Sequence, residues 1–319
     1  MITVVGEALA DLIAGRDGRT FTAHPGGSPA NVALGLSRLG TPSVLGTRLG
    51  ADLFGAMVGD HLRASGVDVR ALPAPTADTS VAFAATDADG VARYDFRIRW
   101  DVTGVPPLGG SECLHTGSLA TLLEPGATVV EAAMATAATT SYDPNIRPSL
   151  SSTPEHERTR VERQVALSDV VKVSEEDLAW LHPGEDPVDR ARHWLALGPA
   201  LVVVTLGPSG AHALTAAHSL RRPSPPTTVV DTVGAGDAFT AGLLHWLSQA
   251  GLLGGAHQAI ADLPGTASAP PWTSPTPPPP SPAPARARTH PPQRTWARPG
   301  PCCRRRPPRD PELPCSSVA

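Results

Sequence analysis

Along residues 1–253, short apolar runs rich in β-branched residues alternate with stretches whose apolar positions recur every third or fourth residue. The runs at 2–5, 43–46, 113–116, 140–143, 170–173, 201–205 and 227–230 predict strands. The stretches 29–39, 53–65, 128–138, 155–167, 187–197 and 238–250 predict helices. Such alternation builds βαβ units, and so an α/β fold with a parallel sheet covered on both faces. Leu201-Val202-Val203-Val204 has the continuous apolar character of a strand buried on both sides. Two segments break the alternation: 12–22 turns at Asp17-Gly18, and 80–99 alternates about Asp87-Ala88-Asp89-Gly90. Both predict hairpins, with lid-like boundaries of about 12–25 and 80–99, set in a small sheet of their own.

From Pro264 the pattern stops. Residues 264–319 hold 18 of the 36 prolines and eight arginines against two acids, without Phe, Tyr, Ile or Lys. A segment of that composition buries too little apolar surface to offset the entropy of ordering. The expected organisation is therefore a folded domain over 1–263 and a disordered Pro/Arg-rich tail over 264–319.

Composition narrows the function classes. The formal net charge is −4, from 26 basic and 30 acidic residues, and the body has no basic face, which excludes nucleic acid as the expected partner. No apolar run reaches the length of a membrane span. The N-terminus lacks a basic leader region, and Cys113 is the only cysteine in the body, so a reducing cytoplasm is the expected compartment. Lys172 is the only lysine.

Two glycine clusters carry the candidate chemistry. Asp231-Thr232-Val233-Gly234-Ala235-Gly236-Asp237 lies between an apolar β-branched run and an amphipathic stretch. Glycines there leave free N–H groups at a helix N-terminus, which form an anion site. Asp237 in the first turn beside it can act as a general base. Gly26-Gly27-Ser28-Pro29-Ala30-Asn31 lets backbone approach a ligand, with Ser28 read as an N-cap, Pro29 at the first helical position, and Asn31 offering a donor and an acceptor. The chain has no Gly-x-x-x-x-Gly-Lys-Ser/Thr, and Gly234-Ala235-Gly236 lacks the third glycine of a dinucleotide fingerprint.

Residues 26–40 and 231–242 resemble the two signatures of the PfkB (ribokinase-like) carbohydrate kinases, in the family's order and spacing. Gly6-Glu7-Ala8-Leu9-Ala10-Asp11, Asp143-Pro144-Asn145-Ile146-Arg147-Pro148 and Val204–Gly210 resemble further family segments. The resemblance covers roughly residues 1–253. It implies a three-layer α/β/α ribokinase-like domain with a small β-sheet lid, and transfer of the ATP γ-phosphoryl group to a sugar hydroxyl. It further implies Asp237 as base and Gly234, Ala235 and Gly236 as anion hole. Asp11, Gly26, Gly27, Asn31, Asn145 and Arg147 would hold the sugar, and Thr205, Gly207 and Gly210 would line the ATP site. Mg²⁺ would accompany ATP. Asp143–Pro148 and Tyr94-Asp95-Phe96 are similar to the fructokinase subgroup; a kinase of 2-keto-3-deoxygluconate or another sugar is the alternative. Pairing of lids would make a homodimer.

Two departures from the family qualify this expectation. In place of an Asn-x-x-Glu motif near the metal and phosphates stands Ser174-Glu175-Glu176-Asp177, which leaves Asp177 as the candidate metal ligand. The family's last helices, which close over adenine, are replaced after Gly254-Gly255 by a fragment over 256–263 and the tail. A reading-frame shift near 254–264 would account for the change. Weak ATP affinity, or a catalytically impaired chain that still binds sugar, is its expected consequence.

Overall fold

The computed structural model describes residues 1–264 apart from 16, 77, 87–91 and 225–233. The run expected as a strand at 227–230, Asp231-Thr232-Val233, the turn at 87–90 and the tail expected over 264–319 lie outside the described residues, Pro264 excepted.

Seven parallel strands form the body of a nine-stranded sheet. In chain order they are β1 (Ile2–Val5), β4 (Ser43–Thr47), β5 (Asp68–Ala71), β8 (Cys113–Gly117), β9 (Thr140–Asp143), β10 (Val170–Ser174) and β11 (Leu201–Thr205). The remaining two, β12 (Ala211–Leu214) and β13 (Ser219–Arg222), extend one edge as an antiparallel hairpin. The sheet order is β13-β12-β11-β10-β9-β8-β1-β4-β5. The expected parallel sheet forms the body, and an antiparallel edge is added to it: β12 and β13 follow β11 through a tight turn, too short for the crossover that parallel pairing needs.

Successive residues of each strand feed opposite faces. Val170, Leu201 and Val203 pack on one side with helices α1 (Ser28–Arg38), α2 (Leu53–Ala64), α7 (Ala235–Gln249) and α8 (His257–Ala261). Val171, Val202 and Val204 pack on the other with α3 (Gly126–Met134), α4 (Pro154–Ala166), α5 (Glu175–Leu181) and α6 (Pro187–Leu195). The domain thus has three layers, and the continuous valine runs are central strands covered on both faces. On the first face α1 and α7 approach closely: a Cβ on Gly35 would stand 2.7 Å from the Ala241 Cβ.

The two expected hairpins are present as one four-stranded sheet, ordered β3-β2-β6-β7. Its strands are β2 (Leu9–Ala14), β3 (Phe21–Gly26), β6 (Val81–Thr86) and β7 (Ala92–Arg97). β2 pairs antiparallel with β3 and parallel with β6. Leu9, Ala82 and Leu119 root this lid in a small apolar cluster on the main body.

Glu7 lies at the junction between β1 and the lid, and it is buried. Its Oε2 accepts from the Ala120 N–H at 3.2 Å, holding the turn that follows β8. Burial pushes its carboxyl up to about 7 from an ordinary 4.5. The folded chain therefore binds this proton more tightly than the unfolded chain does. Stability is highest with Glu7 protonated and falls as pH rises from about 4.5 to about 7. Glu7→Gln, which cannot ionise, is expected to lose this slope and to gain on the order of 3 kcal/mol relative to the parent above pH 7. Thermal melts of both proteins between pH 5 and 8 check it; parallel curves would refute the assignment.

Candidate active site

The C-terminal ends of the parallel strands define one rim of the sheet, because neighbouring strands finish in register: Gly117 pairs with Asp143, and Ser174 with Thr205. Ligands of open α/β sheets bind in the crevice outside these ends. The two glycine clusters both open onto this rim.

The first cluster turns the chain from β3 into α1. Gly27 has φ 106°, a conformation glycine adopts without steric cost, and a Cβ there would meet the Glu7 carbonyl oxygen at 2.5 Å. Gly26 is glycine for a different reason: a Cβ would fall 1.9 Å from Asp11 Oδ2, so the carboxylate of Asp11 lies across it. Burial raises the Asp11 pKa, opposed by His24 and Arg147. Gly27, not Ser28, is the N-cap of α1, which corrects the capping role expected for Ser28. Freed from that role, the Ser28 hydroxyl donates to Asp237 Oδ1 at 2.7 Å.

The second cluster starts α7 at Ala235, three residues earlier than the periodicity predicts. Gly234, with φ 74°, is its N-cap, and no side chain caps the helix among the described residues. The first intrahelical bond runs from Ala238 N to Gly234 O at 2.9 Å. The first N–H groups of a helix lack an intrahelical acceptor as a rule, which makes those of the first turn of α7 candidates to meet an anion. Asp237 is buried in this first turn. Asn31 Nδ2 donates to its Oδ2 at 2.8 Å, so both carboxylate oxygens are gripped from α1.

A hydrogen-bonded chain continues outward. Asn145 Nδ2 donates to the Ser28 hydroxyl at 2.8 Å, and Arg147 Nη1 donates to the Asn145 carbonyl at 2.9 Å and to its side-chain oxygen. Asn145 follows β9 with φ 42°, a left-handed conformation that asparagine tolerates better than most residues. Asp11, Gly26, Gly27, Asn31, Asn145, Arg147, Gly234, Ala235, Gly236 and Asp237 are thus tied to one neighbourhood by contacts or by chain adjacency.

Thr205 at the end of β11, and Gly207 and Gly210 in the turn after it, sit apart from that hydrogen-bonded chain; in the turn Leu206 N donates to Gly210 O at 2.8 Å. Asp177 holds backbone together. Its Oδ1 accepts from Ile146 N at 2.8 Å and its Oδ2 from Ser174 N at 3.3 Å, forming with Ser174 the capping box of α5. Among the described residues no group of three or more His, Cys, Asp or Glu side chains could hold a metal ion. A divalent ion here would therefore rest mainly on phosphates and water.

Sequence reasoning misses three participants. Ser28 reads as a cap from its position, whereas its hydroxyl meets Asp237. Lys172 and Asp143 form a buried ion pair, Nζ to Oδ2 at 3.0 Å, beneath the rim. The signal for the pair is present in part: Lys172 is the single lysine of an arginine-rich chain, and Asp143 opens the Asp143–Pro148 motif.

A buried carboxylate in the first turn of a helix, at the strand-end rim and beside a small β-sheet lid, is an arrangement suited to a small-molecule phosphotransferase of three-layer α/β architecture. The chain belongs to the pfkB family of carbohydrate kinases, whose model matches residues 1–261.

Relatives agree. A fructokinase of Klebsiella pneumoniae is 36% identical over 263 residues, spanning 79% of this chain and 85% of that protein. One of Rhizobium leguminosarum bv. trifolii is 36% identical over 267 residues, spanning 79% and 81%. Among solved structures, a Xylella fastidiosa fructokinase with bound ATP superposes with a TM-score of 0.71 at 27% identity, covering 82% of this chain and 84% of that one. A Vibrio cholerae O395 fructokinase bound to fructose, ADP and calcium superposes at 0.68 with 31% identity, covering 82% and 87%. The protein is a sugar kinase, a phosphotransferase whose acceptor is a sugar hydroxyl. No helix among the described residues is long and apolar enough to cross a membrane.

Ser28→Ala would strand Asn145 Nδ2 and one oxygen of Asp237 together. A buried polar group left without its partner costs about 1–3 kcal/mol. Urea unfolding of Ser28→Ala is expected to show a loss of that order, and an unchanged midpoint would exclude the hydroxyl from the network.

Proposed function

We propose that the protein is an ATP-dependent fructokinase in which Asp237 is the general base. The observation that carries this reading is the grip on Asp237: Ser28 and Asn31 fix both carboxylate oxygens in the first turn of a helix, the end that favours phosphate. A carboxylate so fixed loses little freedom when a substrate hydroxyl docks against it. It accepts the hydroxyl proton as the oxygen attacks phosphorus, and the amides of Gly234, Ala235 and Gly236 balance the charge on the transferred group.

The residues present fit nucleotide phosphates, since no side chain among the described residues caps the α7 N-terminus and Gly234 has no side chain to obstruct it. Bound ATP would supply the phosphoryl group and Mg²⁺ would neutralise its charge. Gly234, Ala235 and Gly236 would meet the phosphates, with Thr205, Gly207 and Gly210 further along the nucleotide. Asp177, whose oxygens already accept two backbone N–H groups, would contribute to the ion at most through its remaining lone pairs. Asp11, Gly26, Gly27, Asn31, Asn145 and Arg147 would bind the sugar, and the lid would exclude water that otherwise competes as acceptor. A second copy bound through the lid belongs to the same reading, supported by Ile13 and Phe21, large apolar lid side chains about half exposed (48% and 49%).

The fructokinase relatives support fructose over other acceptors. A coupled ADP-release assay over a sugar panel is expected to give the highest kcat/KM with fructose; a preference for 2-keto-3-deoxygluconate would reassign the substrate. Asp237→Asn is expected to lower kcat at least about 100-fold while fructose still raises the melting temperature. Turnover retained in that variant would remove Asp237 from the role of base.

A further inference from the structure

Lys172 is one lysine among 26 basic residues, and its side chain is 5% exposed on central strand β10. Its ammonium is clamped on one side by Asp143 Oδ2 at 3.0 Å. Asp143 Oδ1 is buried without a hydrogen-bond partner among the described residues. On the other side the ammonium lies against the first turn of α7, where a Cβ at Gly236 would come within 2.9 Å of Nζ. A side chain at the second glycine of the Gly-Ala-Gly run would therefore displace the ammonium beneath it.

The charge balance is unusual. Burial alone would push the Lys172 pKa down, but Asp143, then Asp177 and Asp237, outweigh it and raise it. Nearby His115 is pushed down to about 3 by burial and then by Lys172, so it adds no charge near neutrality. One permanent positive charge thus faces three acidic side chains. Stability does not explain it, because a buried ion pair is generally no better than apolar side chains of equal volume. Nor would arginine substitute: its planar guanidinium is wider than an ammonium, and Gly236 leaves no spare room.

We propose that Lys172 is a positioning residue for phosphoryl transfer: anchored by Asp143, it seats the first turn of α7 and keeps a fixed positive charge behind the Gly234–Gly236 amides. This rests on the sugar-kinase reading of the Asp237 site. Lys172 touches no reacting group. It acts through Gly236 and Asp237, adding to the positive end of the helix where charge accumulates during transfer.

Lys172→Met alone would leave Asp143 buried and uncompensated, so the informative variant is Asp143→Asn combined with Lys172→Met, which removes both charges together. Its melting temperature is expected to stay within a few degrees of the parent, and its KM for fructose within about threefold. Its kcat is expected to fall about 10- to 100-fold, less than the roughly 100- to 1000-fold lost with a direct oxyanion donor. Lys172→Arg, which keeps the charge but crowds Gly236, is expected to show the same split between kcat and KM, and carries the test if the double variant does not fold. Either folded variant at parental kcat overturns the proposal, as does a loss confined to the melting temperature. A parent chain with no ATP-dependent turnover of any sugar fails the underlying reading, and the proposal with it, before a variant is made.

Discussion

The carboxylate of Asp237 is held by two side chains that precede it by 209 and 206 positions, and the rest of the site depends on that grip. It exists because α1 and α7 pack side by side on one face of the sheet, close enough that Gly35 must lack a side chain against Ala241. That packing lays the two glycine clusters edge to edge at the rim. The strand order then brings β9 and β10 beneath them, so that Asn145 reaches Ser28 from one segment and Lys172 reaches Gly236 from another. A site assembled this way has few independent parts. Moving α7 by about one ångström would disturb the carboxylate, the first-turn amides and the buried charge together.

The lid is tied to the same arrangement by the chain itself. β2 leaves directly from the end of β1, and β3 returns through Gly26 and Gly27 into α1. Asp11 on β2 lies against Gly26 at that return. Glu7, at the exit, holds the turn after β8. Any rotation of the lid therefore bears on the first turn of α1, which carries Ser28 and Asn31.

Much of this is legible in the sequence because its signals are local. Continuous runs such as Val202-Val203-Val204 announce strands covered on both faces, and glycines at strand-to-helix junctions announce where backbone must stay bare. What escapes is either short or non-local. β12 and β13 are four residues each, with polar His212 and Arg221 facing one another across an edge hairpin. α5 follows β10 with no intervening loop, and its first turn, Glu175-Glu176-Asp177, has no apolar period to reveal it. A serine just before a helical pattern most often caps it, but the partner of the Ser28 hydroxyl lies at the far end of the folded domain. The Lys172–Asp143 pair joins adjacent strands 29 residues apart, and nothing in the spacing of the two residues predicts it.

A chain whose one lysine is sealed inside has no lysine amine on its exterior. Amine-directed reagents, whether fluorophores, biotin esters or crosslinkers, would therefore find no exposed lysine side chain among the described residues. Burial of Lys172 thus leaves the reactive crevice untouched by lysine-directed chemistry.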